Sequence, residues 1–417
     1  MDIRTSQMRT THRPDWLERL TVTHKRLLGV SCTLLGVMCA GTTTARVDGS
    51  PAAFGGAGGR PGHHVEIQAA SWPPAELEDV VSLSGSDAFA AGNARLGRDA
   101  LLERWNGSRW RRLSVPERVA HAPIDPIAVL SDTDVWAVGL IPKQQGNADL
   151  PYVVHWDGQT WQHTPLPGAT TDTFIEDATA ISATDAWLVG DLRTNAHGGL
   201  KPVSYHWSGN SWERVNLPAT KGRRTGLFGV SGTSSTDVWG VGATVNRVGT
   251  RDPETYVVHW DGSAWSRVTT PSPGAEENIL GHVAAVTPGN VWALGETAAP
   301  AGQPHSLLEH EVHGVWKVVD LRAAFRGYTF IDIGGDRPND VWLVGFQAAG
   351  TGFATVAVQW NGRTWHRTPT PNPGGDSFLE AVSVSGPGAT WAVGDIEGIE
   401  HRPPLRLLWN GHAWVRK

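Results

Sequence analysis

The sequence predicts an all-β fold, a seven-bladed β-propeller of four-stranded antiparallel blades, and three observations support this prediction. A six-residue motif of the form DVWAVG recurs at spacings of 47, 51, 52, 53, 50 and 49 residues, with its aromatic residue at Phe89, Trp136, Trp187, Trp239, Trp292, Trp342 and Trp391. A motif of the form HWDGxxW stands at 104–110, 155–161, 206–212, 259–265, 359–365 and 408–414, with a degenerate copy, EVHGVW, at 311–316. Gly (49) and Trp (21) are abundant whereas charged residues make up 18%, which is typical of short strands joined by tight turns.

Each copy is predicted to contain four strands. The first is exemplified by ATAIS at 178–182, and the second is the DVWAVG segment, whose small apolar residues indicate burial on both faces. The third is exemplified by YVVHW at 152–156 and the fourth by WQHTPLP at 161–167. The pairs DG, SG and NG between strands three and four tolerate the positive φ that two-residue hairpins need, and the prolines that follow end strand four.

Four antiparallel strands at this period are typical of a propeller blade, whereas a parallel β-helix would need shorter and more uniform coils. The last copy ends three residues after Trp414, and the segment 65–74 aligns with the fourth strand of the other copies. We therefore expect this N-terminal strand to complete the last blade and close the ring, which removes open sheet edges.

The N-terminal residues are predicted to be an export signal. A basic HKR at 24–26 precedes the apolar stretch 27–40, and small residues at 43–45 suit cleavage after Ala45. We expect a signal peptide over 1–45, a flexible leader over 46–62 and the propeller over 63–417; a retained anchor helix is the alternative. Because Cys32 and Cys39 are the only cysteines, the mature protein would have no thiol chemistry, and it would be secreted with no membrane contact.

Charge and composition restrict the partners. The formal net charge is -6 and the sequence pI about 6.3, so the basic surface of a nucleic-acid-binding protein is not expected. Nothing in the sequence indicates a cofactor, and we expect a monomer that binds a glycan or a protein ligand.

The paired DVWAVG and HWDGxxW repeats resemble those of secreted bacterial β-propeller proteins, most of them uncharacterised. The WDGxxW half is also similar to the hairpin of seven-bladed bacterial lectins, which hold sugars between blades. The resemblance covers about 65–417 and implies the propeller fold; its WDGxxW half implies lectin-like carbohydrate binding as one expected function beside protein binding. Kelch, WD and sialidase motifs, and the copper ligands of galactose oxidase, are not found.

Repeated histidines and tryptophans have a structural explanation. His155, His206 and His259 occupy one repeat position on strand three. Because seven-fold symmetry separates equivalent positions and zinc needs ligands at about 2.0–2.1 Å around one point, we expect no metal site there, and each His should pack beside a Trp or make a local hydrogen bond. The paired tryptophans should fill the wedges between blades; stacking on sugars is the alternative.

Function is expected on the face that carries the long, irregular segments 140–151, 191–202, 243–254, 296–306 and 395–404, because variable loops on a rigid scaffold mark a binding face. The residues that enter strand one on that face are mostly acidic, and we take them as candidate ligand-binding residues at the mouth of the central channel. They are Asp79, Asp125, Asp177 (with Glu176 beside it), His282, Asp332 and Glu380. The alternative role is to cap local backbone N–H groups.

Two functions remain open on the sequence. The first is a secreted, non-catalytic binding module for a glycan or protein, which the near-equal blades and the abundant Trp favour. The second is a lyase or hydrolase that acts at the acidic channel mouth with His282 as an acid–base partner, because neighbouring carboxylates raise the pKa of some members.

Overall fold

The computed structural model describes residues 75–417 apart from 96, 98, 142–149, 195–198, 221–222, 246–252, 276, 299–303 and 398–403. The expected signal peptide, the leader and the segment 65–74 lie outside the described residues. Within the described part, all regular structure is β-strand, and 28 strands form seven four-stranded sheets. Each sheet is antiparallel and contains four strands that are consecutive in the chain.

Every blade repeats the predicted order of strands, and the strand bounds are as follows. Blade one contains β1 (Ala75–Ser84), β2 (Asp87–Ala94), β3 (Asp99–Trp105) and β4 (Trp110–Arg112); blade two contains β5 (Ile124–Ser131), β6 (Asp134–Ile141), β7 (Leu150–Trp156) and β8 (Trp161–His163); blade three contains β9 (Thr173–Ser182), β10 (Asp185–Arg193), β11 (Leu200–Trp207) and β12 (Trp212–Val215). Blade four contains β13 (Arg224–Ser234), β14 (Asp237–Val245), β15 (Glu254–Trp260) and β16 (Trp265–Val268); blade five contains β17 (Glu277–Thr287), β18 (Asn290–Ala298), β19 (His305–Val312) and β20 (Val315–Val319). Blade six contains β21 (Tyr328–Arg337), β22 (Asp340–Ala349), β23 (Gly352–Trp360) and β24 (Trp365–Thr368); blade seven contains β25 (Asp376–Val384), β26 (Thr390–Glu397), β27 (Leu405–Trp409) and β28 (Trp414–Arg416).

The first strands of the seven blades contact one another in a closed cycle, β1–β5–β9–β13–β17–β21–β25 and back to β1. At the junction of the last and first blades, the backbone N–H of Ser82 donates to Oγ of Ser383 at 3.0 Å, and the hydroxyls of Ser82 and Ser385 lie 2.7 Å apart. The predicted propeller of seven four-stranded blades is therefore confirmed, with strand one lining the axis.

The last blade has its own fourth strand. β28 spans three residues, as do β4 and β8, and it pairs with β27 through Trp414 and Trp409. Blade seven thus has four strands without the segment 65–74, and the closing role of that segment stays a prediction.

Tryptophans fill the wedges between blades. Trp136 of blade two is 1% exposed, and its ring centroid lies 4.7 Å from that of Trp207 and 5.2 Å from that of Trp212, both in blade three. Trp391 of blade seven contacts Trp105 and Trp110 of blade one in the same way. These two hairpin pairs, Trp207 with Trp212 and Trp105 with Trp110, are buried between blades, so for them the expected wedge-filling role of the paired tryptophans is confirmed.

Candidate functional site

Every first strand carries a β-bulge at the same repeat position. In blade three, Val189 pairs with Asp177 but the next residue, Gly190, pairs with Ile175, so Glu176 is the extra residue. Equivalent register shifts lie between Leu77 and Asp79, Ile124 and Ile127, Leu227 and Gly229, Leu280 and His282, Phe330 and Asp332, and Leu379 and Ala381. Because a bulge redirects the side chains around it, these seven bulges set the side chains that face the channel mouth.

The glycine that ends the DVWAVG motif permits the bulge. A Cβ added to Gly190 would overlap the carbonyl oxygen of Phe174 on the neighbouring first strand. The same overlap would occur at Gly92, Gly242, Gly295, Gly345 and Gly394. A side chain at this position would push the first strand away from the second, so the repeated glycine fixes the geometry of the mouth.

The six predicted mouth residues occupy two adjacent repeat positions instead of one. Four stand directly after the bulge, 10 residues before the aromatic residue of the motif: Asp79, Asp177, His282 and Asp332. Two stand within the bulge, 11 residues before that aromatic residue: Asp125 and Glu380. Glu78, which was not among the predicted residues, shares this second position with Glu176 and could have been found by counting back from Phe89.

The carboxylate of Asp177 joins two blades. Its Oδ1 accepts a hydrogen bond from the backbone N–H of Ala178 at 2.8 Å, and its Oδ2 accepts one from the N–H of Val230 in blade four at 2.7 Å. Asp79 makes the same pair of bonds to Val80 and Ile127 (2.6 and 2.8 Å), and Asp332 to Ile333 and Val382 (2.7 and 2.7 Å). These three carboxylates therefore cap backbone N–H groups, which is the alternative role considered for them above. Each caps one N–H group in its own blade and one in the next blade.

His282 joins blades five and six. Its Nδ1 lies 3.0 Å from Oδ1 of Asp332, and its side chain is 24% exposed. Burial lowers the pKa of His282, but the charge and hydrogen bond of Asp332, with further contributions from Asp177 and Asp79, outweigh it and raise the pKa above its usual value. The mouth thus stabilises the protonated form of His282, whose charge offsets part of the negative charge there.

The mouth residues act on one another electrostatically. The pKa of Asp177 is raised to about 8, mainly by burial and also by the charge of Asp79, although the N–H of Val230 and the charge of His282 act in the opposite direction. Burial likewise raises the pKa of Asp79 to about 6, with Asp332 acting in the same direction. Side chains from blades one, three, five and six are therefore close enough to influence the pKa values of Asp79, Asp177 and His282.

The two bulge residues belong to the same environment. Burial raises the pKa of Asp125 well above its usual value, and the charges of Glu78, Asp79 and Asp177 act in the same direction. Burial also raises the pKa of Glu380, with Asp395 as the largest charge acting on it. Both carboxyls are therefore held in the protonated form more strongly than free side chains.

The repeated histidines on strand three have the expected structural role. The ring of His155 stacks on Trp136 with centroids 3.8 Å apart, and its Nε2 donates to Oδ1 of Asp134 at 2.7 Å. His206 and His259 bond Asp185 and Asp237 in the same way, each at 2.9 Å. Among the described residues, no group of three His, Cys, Asp or Glu side chains is placed to hold a metal ion.

A groove of about 660 Å³ opens at the loop-rich face, between the outer strands of blade three and the start of blade four. Its lining consists of Thr194, Gly199, Leu200, Lys201, Pro202, Arg214, Val215, Asn216, Leu217, Pro218, Ala219, Thr220, Arg223 and Arg224. None of these residues is acidic or aromatic. This groove was not predicted from the sequence because its four cations come from three strands and a loop; their shared position at strand ends on one face was the available signal.

Comparisons with known proteins agree on the fold. No family model matches the chain, and no curated protein matches it. The chain is similar to a xyloglucanase from Xanthomonas campestris, with 11% identity and a TM-score of 0.54 over 84% of this chain and 54% of the other. It is also similar to the β-propeller domain of the Trilobed protease from Pyrococcus furiosus (10% identity, TM-score 0.54, 82% and 97%) and to an ulvan lyase bound to a GlcA–Rha3S polysaccharide (10%, 0.50, 84% and 98%).

These likenesses show the fold alone. The chain spans about half the length of the xyloglucanase, and the similar structures include a hydrolase of polysaccharides, a lyase and a protease domain. Since one fold supports unrelated chemistry, they select no activity. In the part of the chain that the structure describes, there is no helix of the length and apolarity that a bilayer crossing requires. The chain is a seven-bladed β-propeller.

Proposed function

We propose that this chain is a secreted, non-catalytic binding module that holds a protein or glycan partner on its loop-rich face. The proposal rests on the hydrogen bonds that the mouth aspartates accept from backbone N–H groups. Both carboxylate oxygens of Asp177 accept backbone N–H groups, one from each of two adjacent blades, and Asp79 and Asp332 repeat this arrangement.

Such carboxylates are poorly suited to acid–base catalysis. A general acid must reach the substrate atom that receives its proton, whereas the two oxygens of each of these side chains accept N–H groups, one from their own blade and one from the next. Their elevated pKa follows from burial, which accompanies structural roles as well as catalytic ones. The aspartates of the mouth are thus suited to holding adjacent blades together, which keeps the surrounding face rigid.

A rigid ring with long inter-strand segments on one side suits recognition. Binding loses less entropy when the scaffold is already ordered, and the groove at blades three and four provides a concave surface on the same side as the mouth. The ulvan lyase of similar fold was solved with a polysaccharide bound, and a glycan is one of the two partner classes we propose. Secretion rests on the sequence of residues 1–45.

An enzyme that uses His282 is the second candidate, and one observation favours it. The imidazole lies 3.0 Å from the carboxylate of Asp332 at the mouth, a pairing that also orients catalytic histidines. The two functions differ in whether the bound molecule is converted.

The test is to probe glycan and peptide arrays with the purified mature chain and to analyse each bound molecule by mass spectrometry. We expect a ligand that is recovered unchanged and that binds equally well to the His282→Asn variant. A ligand that is cleaved by the native chain and left intact by His282→Asn would establish the enzyme instead.

A further inference from the structure

The groove between blades three and four has an unusual charge for this molecule. The chain carries a formal net charge of -6, yet the groove is lined by four cationic side chains and no acidic one: Lys201, Arg214, Arg223 and Arg224. A concave surface with one sign of charge concentrates its field on the enclosed space. The groove therefore attracts anions at a place where the molecule as a whole repels them.

The four cations stand in two kinds of environment. Lys201 and Arg214 are exposed on β11 and β12, and they form the outer wall. Arg223 and Arg224 lie at the start of blade four; Arg223 bonds Glu254 at 2.6 Å, and burial lowers the pKa of Arg224 to about 10. Arg223 is therefore already paired with a carboxylate, whereas Lys201 and Arg214 are exposed to solvent.

The remaining lining favours a peptide over a sugar. Its apolar part consists of aliphatic side chains and prolines, including Leu200, Val215 and Leu217, and it contains no aromatic ring. The pyranose rings of glycans are held mainly on aromatic faces, whereas acidic peptide motifs are held by clustered basic side chains. The paired ladder of β12 ends at Val215, and residues 216–220, which follow it, line the groove.

We propose that this groove binds an extended acidic peptide segment of a partner protein, whose carboxylates pair with the exposed Lys201 and Arg214. This inference rests on the proposed binding function and names the partner class and its site. The volume of about 660 Å³ lies within the range of about 300–1,000 Å³ that holds small ligands, and a short peptide segment fits it.

The test uses fluorescein-labelled hexaglutamate and the full mature chain, with fluorescence anisotropy as the readout. We expect measurable binding that weakens with added salt, and an affinity about tenfold lower for the double variant Lys201→Gln/Arg214→Gln, since two charged contacts are removed. The matched control is Lys317→Gln/Arg367→Gln. It removes the same charge from exposed positions on β20 and β24, and Arg367 occupies the repeat position of Arg214. Thermal melting checks that both variants are folded.

Equal binding by the two double variants would overturn the inference, because it would show attraction to the surface in general. Binding of tetragalacturonate but not of hexaglutamate would also overturn it, while leaving the proposed binding function in place. Failure to bind hexaglutamate at low salt would overturn it as well, and the array experiment would then decide the proposed function separately.

Discussion

Arg406 of blade seven and Glu103 of blade one form a buried ion pair at the junction where the ring closes. Nε of Arg406 donates to Oε2 of Glu103 at 2.7 Å and Nη2 donates to Oε1 at 2.8 Å. Glu103 is fully buried and Arg406 is 8% exposed. The two residues are 303 positions apart in the chain, so this contact, with the adjacent Trp105–Trp391 packing, joins the ends of the propeller.

The first prediction concerns this pair. Arg406→Met should lower the free energy of unfolding by about 3–5 kcal/mol, because it leaves Glu103 as a buried carboxylate without its counter-ion. Urea denaturation measures the change. The double variant Glu103→Gln/Arg406→Met should lose less, and Arg416→Met, at an exposed position on β28, is the control. A loss below about 1 kcal/mol, as for a surface pair, would contradict a role in closure.

The second prediction concerns Glu309 on β19, which is fully buried. Burial raises its pKa from 4.5 to about 8. Between these two values the folded state retains a proton that the unfolded state has lost, so stability falls as pH rises through this window. Glu309→Gln should therefore raise the unfolding free energy at pH 8 by about 1–3 kcal/mol and have little effect at pH 4.

The pH profile of Glu309→Gln should be compared with that of Glu213→Gln, which changes an exposed carboxylate on β12. Denaturation at a series of pH values gives both profiles. If the two variants have the same profile, Glu309 does not titrate with a raised pKa in the folded protein.

The third prediction uses a natural variation among the blades. In blade six the place of the strand-three histidine is taken by Gln359, which donates to Asp340 at 2.7 Å. His155→Gln should therefore keep the bond to Asp134 and lose little stability. His155→Leu should lose about 1–2 kcal/mol, because the part-buried Asp134 would lack this donor. Equal losses in the two variants, measured by thermal melting, would show that the hydrogen bond contributes nothing.

The sequence was sufficient for the repeated architecture. The spacing of the two motifs predicted the number of blades, the order of the four strands and the burial of the repeated tryptophans, because each of these depends on residues within one repeat or its neighbour. The pairing of His155 with Trp136 also followed from position alone, since both residues lie at equivalent places on adjacent strands.

The chemistry of the mouth could not be derived in the same way. Counting residues predicted that the acidic side chains lie near one end of the channel. It could not predict the bulge of one residue, because of which Asp177 pairs with Val189 whereas Glu176 is the extra residue. The bond from Val230 to Asp177 spans 53 positions and crosses a blade boundary. The basic groove combines side chains from β11, the end of β12 and the start of β13, whose proximity depends on how two blades pack.

The central claim is that the aspartates directly after the bulge hold neighbouring blades together. Its most direct test compares Asp177→Ala with Asp125→Ala by urea denaturation at pH 7. Asp177→Ala removes the acceptor of the Ala178 and Val230 N–H groups. It should cost at least about 2 kcal/mol more than Asp125→Ala, which leaves those two N–H groups and their acceptor in place. Equal stability of the two variants, or a gain for Asp177→Ala, would contradict the claim and return these carboxylates to the candidates for ligand contact or catalysis.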